Sequence, residues 1–221
     1  PPHKQQQQLT RPAIVGFGLH ADEGGNPPEP FARAFAVACT AETGVAALPH
    51  AGEIAPFCSK VSDGNSGPDS VAFCCAGRPN GLGAMRIAHG VLAAADDALV
   101  ARLAAEGNCL DICPTSNYLL SVVPSLEEHP LPRLLAAGVT CTINADDPLL
   151  FGCDLKSEFE AAREVMGLSD EVLAGCARAS FVHSCAPEWV KEAGLAGVDA
   201  WLLTEGVAAV AKVVKQAASI D

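Results

Sequence analysis

The sequence is poor in aromatic and basic residues, and it lacks any long apolar run. Only 5% of the 221 residues are aromatic although 49% are hydrophobic, so we expect a core of Ala, Val and Leu. The formal net charge of −12 disfavours nucleic acids and anionic membranes as partners, because both attract basic surfaces. No apolar run approaches the roughly 20 residues that cross a bilayer, and the first residues do not resemble a signal peptide.

The ten cysteines lack the spacing of a metal-binding or redox pair. Cys74 and Cys75 are adjacent, and no C-x-x-C pair occurs. Most of the others, such as Cys39, Cys109 and Cys141, lie in apolar stretches, where a reduced thiol packs as a small hydrophobic side chain. We therefore expect reduced cysteines and a reducing compartment, the cytoplasm.

Strand-like and helix-like patterns alternate after a polar lead. Residues 1–12 contain four successive glutamines and are expected to be flexible or extended, whereas residues 13–221 are expected to form one domain. The predicted strands are Ala13–Leu19, Gly44–Pro49, Met85–His89, Asn108–Cys113 and Val139–Asn144, and the first of them is expected to be buried.

Helical spacing separates these strands and continues to the end of the chain. Breaks are expected near 184–187 and at Gly194 and Gly197, where glycine and proline interrupt the pattern. The predicted helices are Phe31–Thr43, Ser70–Ala76, Asp96–Gly107, Leu131–Ala137 and the segment beyond Asp154.

Repeated strand-then-helix units predict an α/β fold with parallel strands and helices outside. An open doubly wound sheet and a (β/α) TIM-type barrel both place their sites at the carboxyl ends of strands. Five strands are predicted where a full barrel has eight. We therefore expect the later part of a barrel without its first three βα units, and a surface insertion within the long loop from Ile54 to Gly83.

Three short motifs carry polar side chains, and each follows an apolar run that is typical of a strand. They are His-Ala-Gly-Glu at 50–53, Arg-Ile-Ala-His-Gly at 86–90 and Asn-Ala-Asp-Asp-Pro at 144–148. Together they supply two imidazoles, one glutamate and two adjacent aspartates. That set can bind a divalent metal, activate water and protonate a ring nitrogen.

With these motifs the chain resembles the adenosine/adenine deaminase family of metal-dependent hydrolases. The resemblance runs from about Ile14 to about Leu203. Besides the three motifs it includes Cys-Pro-Thr-Ser-Asn at 113–117, His-Pro-Leu at 129–131, Gly-Phe-Gly-Leu at 16–19 and Asp-Leu at 154–155.

The resemblance implies a role for each residue of the motifs. His50 and Asp146 would bind the metal, for which zinc is expected. Glu53 would donate a proton to N1 of a purine, and His89 would polarise the attacking water. Asp146 would also help to deprotonate that water.

Three further residues would contact the substrate. Asp147 would bind N7 of the base, and Gly52 lies in the same turn as Glu53. Ala21 stands near the place where many relatives have a glycine against the purine. Asp22 and Glu23 are expected to form a solvated turn, and the alternative is that they line the mouth of the site.

One family feature is missing, because the H-x-H pair that supplies two more metal ligands is absent. The six histidines are His3, His20, His50, His89, His129 and His183, and no two are two positions apart. His20 follows the first predicted strand, so it is either a replacement ligand or a polar loop residue. His129 is expected to cap or pack.

Two functions of different classes follow. The first is hydrolytic deamination of adenosine, adenine or a related 6-aminopurine by a metal-activated water. The second is that of a catalytically inactive, deaminase-like structural or interaction subunit. In either case the open barrel edge is expected to be covered by a missing N-terminal segment, a second copy or another subunit.

Overall fold

Five parallel strands form one sheet and lie side by side in chain order, as the sequence predicts. The computed structural model describes residues 14–20, 23–24, 26–54, 67–77 and 79–217, with side chains through Thr204. The polar lead, Ala21, Asp22 and residues 55–66 of the predicted insertion lie outside these ranges. The strands are β1 (Gly16–Leu19), β2 (Ala46–Ala51), β3 (Arg86–His89), β4 (Cys109–Ile112) and β5 (Thr140–Ile143).

Because all five strands are parallel, their carboxyl ends lie at the same end of the sheet. Ala51 of β2 pairs with His89 of β3, and Ile112 of β4 pairs with Ile143 of β5. Each strand is connected to the next by a crossover that contains at least one helix, which is the α/β arrangement of a β/α barrel. Within the described ranges β1 and β5 are the two edges of this partial barrel.

Nine α-helices surround the sheet in the described part of the chain. Their ends agree with the sequence signals where a cap exists: Asp96 accepts the N–H groups of Ala98 and Leu99 at the start of α3, and Gly107 follows its end. The helices are α1 (Ala32–Ala38), α2 (Pro68–Cys75), α3 (Asp97–Glu106), α4 (Pro114–Leu119), α5 (Leu131–Ala136), α6 (Pro148–Phe151), α7 (Leu155–Glu164), α8 (Asp170–Val182) and α9 (Glu188–Ala217).

Two predictions about the helices are wrong, and one is confirmed. The break near 184–187 is present between α8 and α9, but Gly194 and Gly197 do not interrupt α9. A glycine costs a helix only about 1 kcal/mol. At Gly194 a side chain would also be excluded, since a Cβ there would lie 2.3 Å from the ring of Phe181. Despite the length of α9, none of the described helices is long and apolar enough to cross a membrane.

The predicted helix from Phe31 to Thr43 is shorter than expected. The α-helix ends at Ala38, whose carbonyl oxygen accepts the hydroxyl of Thr43 at 2.8 Å. The predicted burial of the first strand is also wrong. All four residues of β1 are half-buried, because β1 has a neighbouring strand on one side only.

The core is aliphatic, as the composition predicts. Leu103 of α3, Leu110 and Ile112 of β4, and Leu134 of α5 are fully buried in one cluster. All nine cysteines in the described ranges are reduced, and seven of them are buried. The thiols therefore contribute to this core as small hydrophobic groups, as expected.

Candidate active site

The residues of the three motifs meet at the carboxyl ends of the strands. His50 is the last but one residue of β2, Glu53 lies two residues beyond that strand, and His89 is the last residue of β3. Asp146 lies three residues beyond β5. The sheet topology thus brings together residues that are almost one hundred positions apart in the chain.

His89 is the centre of this cluster. Its Nε2 atom lies 3.5 Å from a carboxylate oxygen of Glu53 and 3.8 Å from one of Asp146. The ring of His50 lies 5.3 Å from that of His89, centroid to centroid. Asp147 is exposed at the start of α6, where its backbone oxygen accepts the N–H groups of 150 and 151.

The backbone is strained at two of these positions. His89 has φ of 61° and Asp146 has φ of 52°, both in the left-handed region that side chains other than glycine rarely adopt. Such residues cost of order 1–3 kcal/mol each, persist only where the surroundings hold them, and cluster at functional sites. Here Ser116 donates its hydroxyl to Asp146 at 2.7 Å, and Asn117 contacts His89.

Glu53 is set up to carry a proton at neutral pH. Burial of the carboxyl, together with the negative charges of Asp146 and Glu23, raises the pKa of Glu53 to about 7. A carboxylic acid with this pKa is close to the optimum for proton transfer near neutrality.

Both imidazoles of the cluster are held neutral. Burial lowers the pKa of His89 well below its usual range, even though Asp146 acts in the opposite direction. Burial and the neighbouring His20 also lower the pKa of His50. Neutral rings keep one nitrogen lone pair each, which can accept a hydrogen bond or bind a metal.

Glu23 holds the turn from His50 to Glu53, although none of the sequence motifs includes this residue. Glu23 is half-buried, and its carboxylate accepts the N–H groups of Gly52 at 2.7 Å, Glu53 at 2.9 Å and Ile54 at 3.3 Å. The expectation that Glu23 lies in a solvated turn is therefore wrong. Its sequence offers no signal for this role, since the contact joins segments about 30 positions apart.

Gly52 cannot be replaced in this turn without a rearrangement. Its φ is 69°, and a Cβ would lie 2.5 Å from Val71 and 3.3 Å from the Cα of Gly90. Its N–H group is engaged by Glu23 and its carbonyl oxygen by Leu92. These constraints fix where the backbone directs the side chain of Glu53.

Two more residues complete the other side of His89. Asn117 and His129 are both buried, and they form a chain of hydrogen bonds that ends at the His89 ring. His129 also accepts the N–H group of Leu131 at the start of α5, which confirms its predicted capping role. The Cys-Pro-Thr-Ser-Asn and His-Pro-Leu motifs were the available signal, although neither motif alone reveals the connection.

The donor atoms present fit a zinc-type metal. The Nδ1 atom of His50 is buried and has no hydrogen-bond partner among the described residues. One ligand atom each from His89, Cys113 and Asp146 lies within 4.8 Å of the others. Nitrogen, oxygen and sulfur donors are those that zinc accepts. The ring of His20 lies 4.4 Å from that of His50, so this residue is adjacent to the donors.

A cavity of about 350 Å³ opens beside these histidines. Its lining includes His20, His50 and the Arg86–Asp111 ion pair, whose closest atoms are 2.6 Å apart. This volume is within the range of small-molecule sites. A larger apolar groove of about 580 Å³, between α7, α8 and α9, is lined by none of the residues of the cluster.

Comparison with known proteins identifies what this arrangement resembles. Residues 4–201 match the family model of adenosine deaminase. An adenine deaminase of Cupriavidus necator is 42% identical over 86% of this chain and 49% of its own length. The crystal structure of an adenine deaminase from Arthrobacter aurescens has 33% identity and a TM-score of 0.75, over 90% of this chain and 55% of that one.

A more distant structure shares the fold. An amidohydrolase from Burkholderia ambifaria, crystallised with bound Zn, has 22% identity and a TM-score of 0.74 over 92% of this chain and 53% of that one. The chain thus spans about half the length of the relatives that it matches. The family match over most of the sequence, together with the barrel-type sheet, shows that this chain belongs to the adenosine deaminase family.

Proposed function

We propose that this chain carries the proton-transfer residues of a hydrolytic 6-aminopurine deaminase. The observation that carries the proposal is the contact of Glu53 with His89 at 3.5 Å, beside Asp146, at the carboxyl ends of the strands. The pKa of Glu53 near 7 supports it, because the group can hold a proton in a neutral solution and release it to a base.

We assign His50 and Asp146 as residues that would hold a zinc ion. When bound, zinc lowers the pKa of a bound water from about 15.7 to about 7. The buried, unpartnered Nδ1 of His50 and its neutral ring support this assignment. Cys113 lies near Asp146 and offers a further donor.

The protein residues divide the remaining work. Asp146 would accept a proton from the attacking water, whose oxygen adds to C6 of the purine. Glu53 would give its proton to N1, so that negative charge does not build up on the ring. Asp146 would then return its proton to the amino group, which leaves as ammonia. The C6 hydroxyl would lose its remaining proton, which restores the acid form of Glu53, and the ring keeps a carbonyl at C6 and a hydrogen at N1. Asp147 would hold N7, and Gly52 and Ala21 would line the base.

The substrate class is a 6-aminopurine, either free or as a nucleoside. Support comes from the relatives named adenine deaminase, at 42% and 33% identity. The net charge of −12 disfavours nucleic-acid substrates. Because β1 and β5 leave unpaired edges within the described ranges, we propose that a further segment, a second copy or another subunit covers them.

A specific observation favours the inactive, structural alternative. No two histidines are two positions apart, and a catalytic zinc site usually has three protein ligands. With His50 and Asp146 alone the chain would bind zinc weakly, and it would then act as an interaction module. The two functions differ in what they predict for turnover once the metal is present.

Turnover of adenine and adenosine tests the proposal. The chain would be assayed with Zn²⁺, both alone and co-expressed with a segment that carries an H-x-H pair, while the purine absorbance and ammonia are followed. We expect turnover in the co-expressed form and equal amounts of ammonia and deaminated purine. No turnover with zinc bound in both forms would favour the structural alternative.

A further inference from the structure

The hydrogen-bond chain behind His89 begins at a group whose direction is fixed. The backbone N–H of Leu131 can only donate, and it lies 3.0 Å from Nδ1 of His129. This nitrogen must therefore be the acceptor. Burial lowers the pKa of His129 to about 4, so the ring is neutral and carries its single hydrogen on Nε2.

This first hydrogen bond determines which atom donates and which accepts in the next two. Nε2–H of His129 donates to the side-chain oxygen of Asn117 at 3.3 Å. The amide of Asn117 is thereby oriented with its NH₂ group toward His89, where Nδ2 lies 3.4 Å from Nδ1. An NH₂ group can only donate, so Nδ1 of His89 accepts.

From this geometry we infer that Asn117 and His129 are positioning residues that place the ring hydrogen of His89 on Nε2. All three side chains are buried, with exposed fractions of 0%, 3% and 1%, so water does not compete for these bonds. The Nε2–H group then points into the space between the carboxylates of Glu53 and Asp146.

This arrangement deepens the proposed function, on which its catalytic meaning rests. Nε2 of His89 carries the hydrogen, and the lone pair of Nδ1 accepts the hydrogen bond from Asn117. His89 therefore has no free lone pair toward the site. It can donate a hydrogen bond to an attacking oxygen, but it cannot take a proton from it. The proton of the water must therefore go to a carboxylate, and Asp146 is placed to receive it.

The positions of the ring hydrogens can be measured without any turnover. Long-range ¹⁵N–¹H spectra of the ¹⁵N-labelled full chain distinguish a protonated from an unprotonated ring nitrogen. The His89 signals are identified by their loss in His89→Gln. We expect an unprotonated Nδ1 and a protonated Nε2 at neutral pH. A hydrogen on Nδ1 of His89 in the wild-type chain would overturn the inference.

Asn117→Asp should reverse the hydrogen bond between residue 117 and Nδ1 of His89. An aspartate has nearly the same shape but only accepts hydrogen bonds, so Nδ1 of His89 should gain a hydrogen. Asn108→Asp is the matched control: it adds the same charge at the amino end of β4, where Asn108 precedes the strand, and should leave the His89 spectrum unchanged. Amide spectra show whether each variant is folded.

His129→Asn removes the first link while it leaves a side-chain oxygen that can accept the N–H of Leu131. The Asn117 amide should then lose its fixed orientation, and the two His89 tautomers should mix. In an active preparation both Asn117→Asp and His129→Asn should lower kcat with little change in KM, by as much as the roughly 10²–10⁴-fold of acid–base groups.

The outcomes separate this inference from the proposed function. The expected tautomer without any purine turnover would uphold the positioning role and count against deamination. Turnover with the opposite tautomer would uphold deamination and refute the positioning role. Unchanged His89 spectra in folded Asn117→Asp would also refute it.

Discussion

The two sides of the site differ in how completely their polar groups are satisfied. On the side of β3 to β5, Asn117 and His129 are buried, and both are hydrogen-bonded in the chain that ends at His89. On the side of β1 and β2, His20 is exposed, and Nδ1 of His50 has no partner among the described residues. The chain thus forms the network around His89 from its own side chains, whereas it leaves a buried nitrogen of His50 without a partner among the described residues.

The difference sets the network that positions His89 apart from the proposed metal ligand His50, while Glu53 after β2 and Asp146 after β5 meet at His89. A buried network keeps side chains in one arrangement, which acid–base chemistry requires. A ring nitrogen without a hydrogen-bond partner in a partly open position is what an incomplete metal site would show. The strand topology explains the location, since β1 and β2 lie toward one edge of the sheet and β4 and β5 toward the other.

The largest expected effect concerns proton donation by Glu53. In a preparation that deaminates a purine, Glu53→Gln keeps the shape of the side chain and removes its acid. We expect kcat to fall by at least about 10²–10⁴-fold, while the zinc content stays unchanged. Steady-state kinetics and metal analysis of the same sample measure both. Near-normal turnover would exclude Glu53 as the proton donor.

The second expected effect concerns the metal that His50 and Asp146 would bind. We expect substoichiometric zinc in the isolated chain, because affinity depends on ligand number and geometry. Asp146→Ala should weaken zinc binding by more than the about 10–100-fold that loss of an outer partner causes. Asp147→Ala is the matched control and should retain the metal.

Metal titration followed by elemental analysis would measure both variants. One tightly bound zinc per wild-type chain would show that further ligands exist. His20 is then the first candidate, because its ring lies 4.4 Å from that of His50. Equal zinc affinity in the two aspartate variants would contradict the assignment of Asp146.

The sequence predicts the strand-end residues on both sides but not the long-range contacts that support them. Strand-end motifs gave His50, Glu53, His89 and Asp146 because apolar runs and polar residues alternate locally. The role of Glu23 was not predictable, since its three hydrogen bonds reach a turn about 30 positions away. Local patterns carry no information about such long-range pairs.

The connection from His129 to His89 was hidden for the same reason. The two histidines are 40 positions apart and meet only through Asn117, which lies on α4. The extent of β1 burial was also misjudged, because an apolar run does not reveal whether a strand lies at an edge. The assigned roles of the site residues remain predictions.

The third prediction tests the burial of His129, on the side of β3 to β5. The folded chain holds His129 neutral, with a pKa of about 4 against an ordinary value of 6.5. Between these two values the unfolded chain binds more protons, so stability falls as the pH is lowered. The free energy of unfolding should drop by about 2 kcal/mol more between pH 7 and pH 5 in the wild type than in His129→Asn.

Urea denaturation at the two pH values measures this difference. His183→Asn is the matched control. The His183 ring is only partly buried, so this substitution should remove less of the pH dependence. An equal loss of stability in the wild type and His129→Asn would mean that the pKa of His129 is not lowered in the folded chain and that water reaches its ring.

The smallest expected effect concerns Glu23, on the side of β1 and β2. Its negative charge helps to raise the pKa of Glu53, although burial and Asp146 contribute more. The proton donor must be protonated to act, so kcat should decline as the pH rises through about 7. Glu23→Gln removes the charge while it keeps one oxygen to accept a backbone N–H, and it should shift this decline to lower pH. Glu29→Gln is the control, because its charge is not among the causes that raise the Glu53 pKa. The pH profile of kcat measures the shift, and a shift to higher pH would show that Glu23 acts on Glu53 through the shape of the turn and not through its charge.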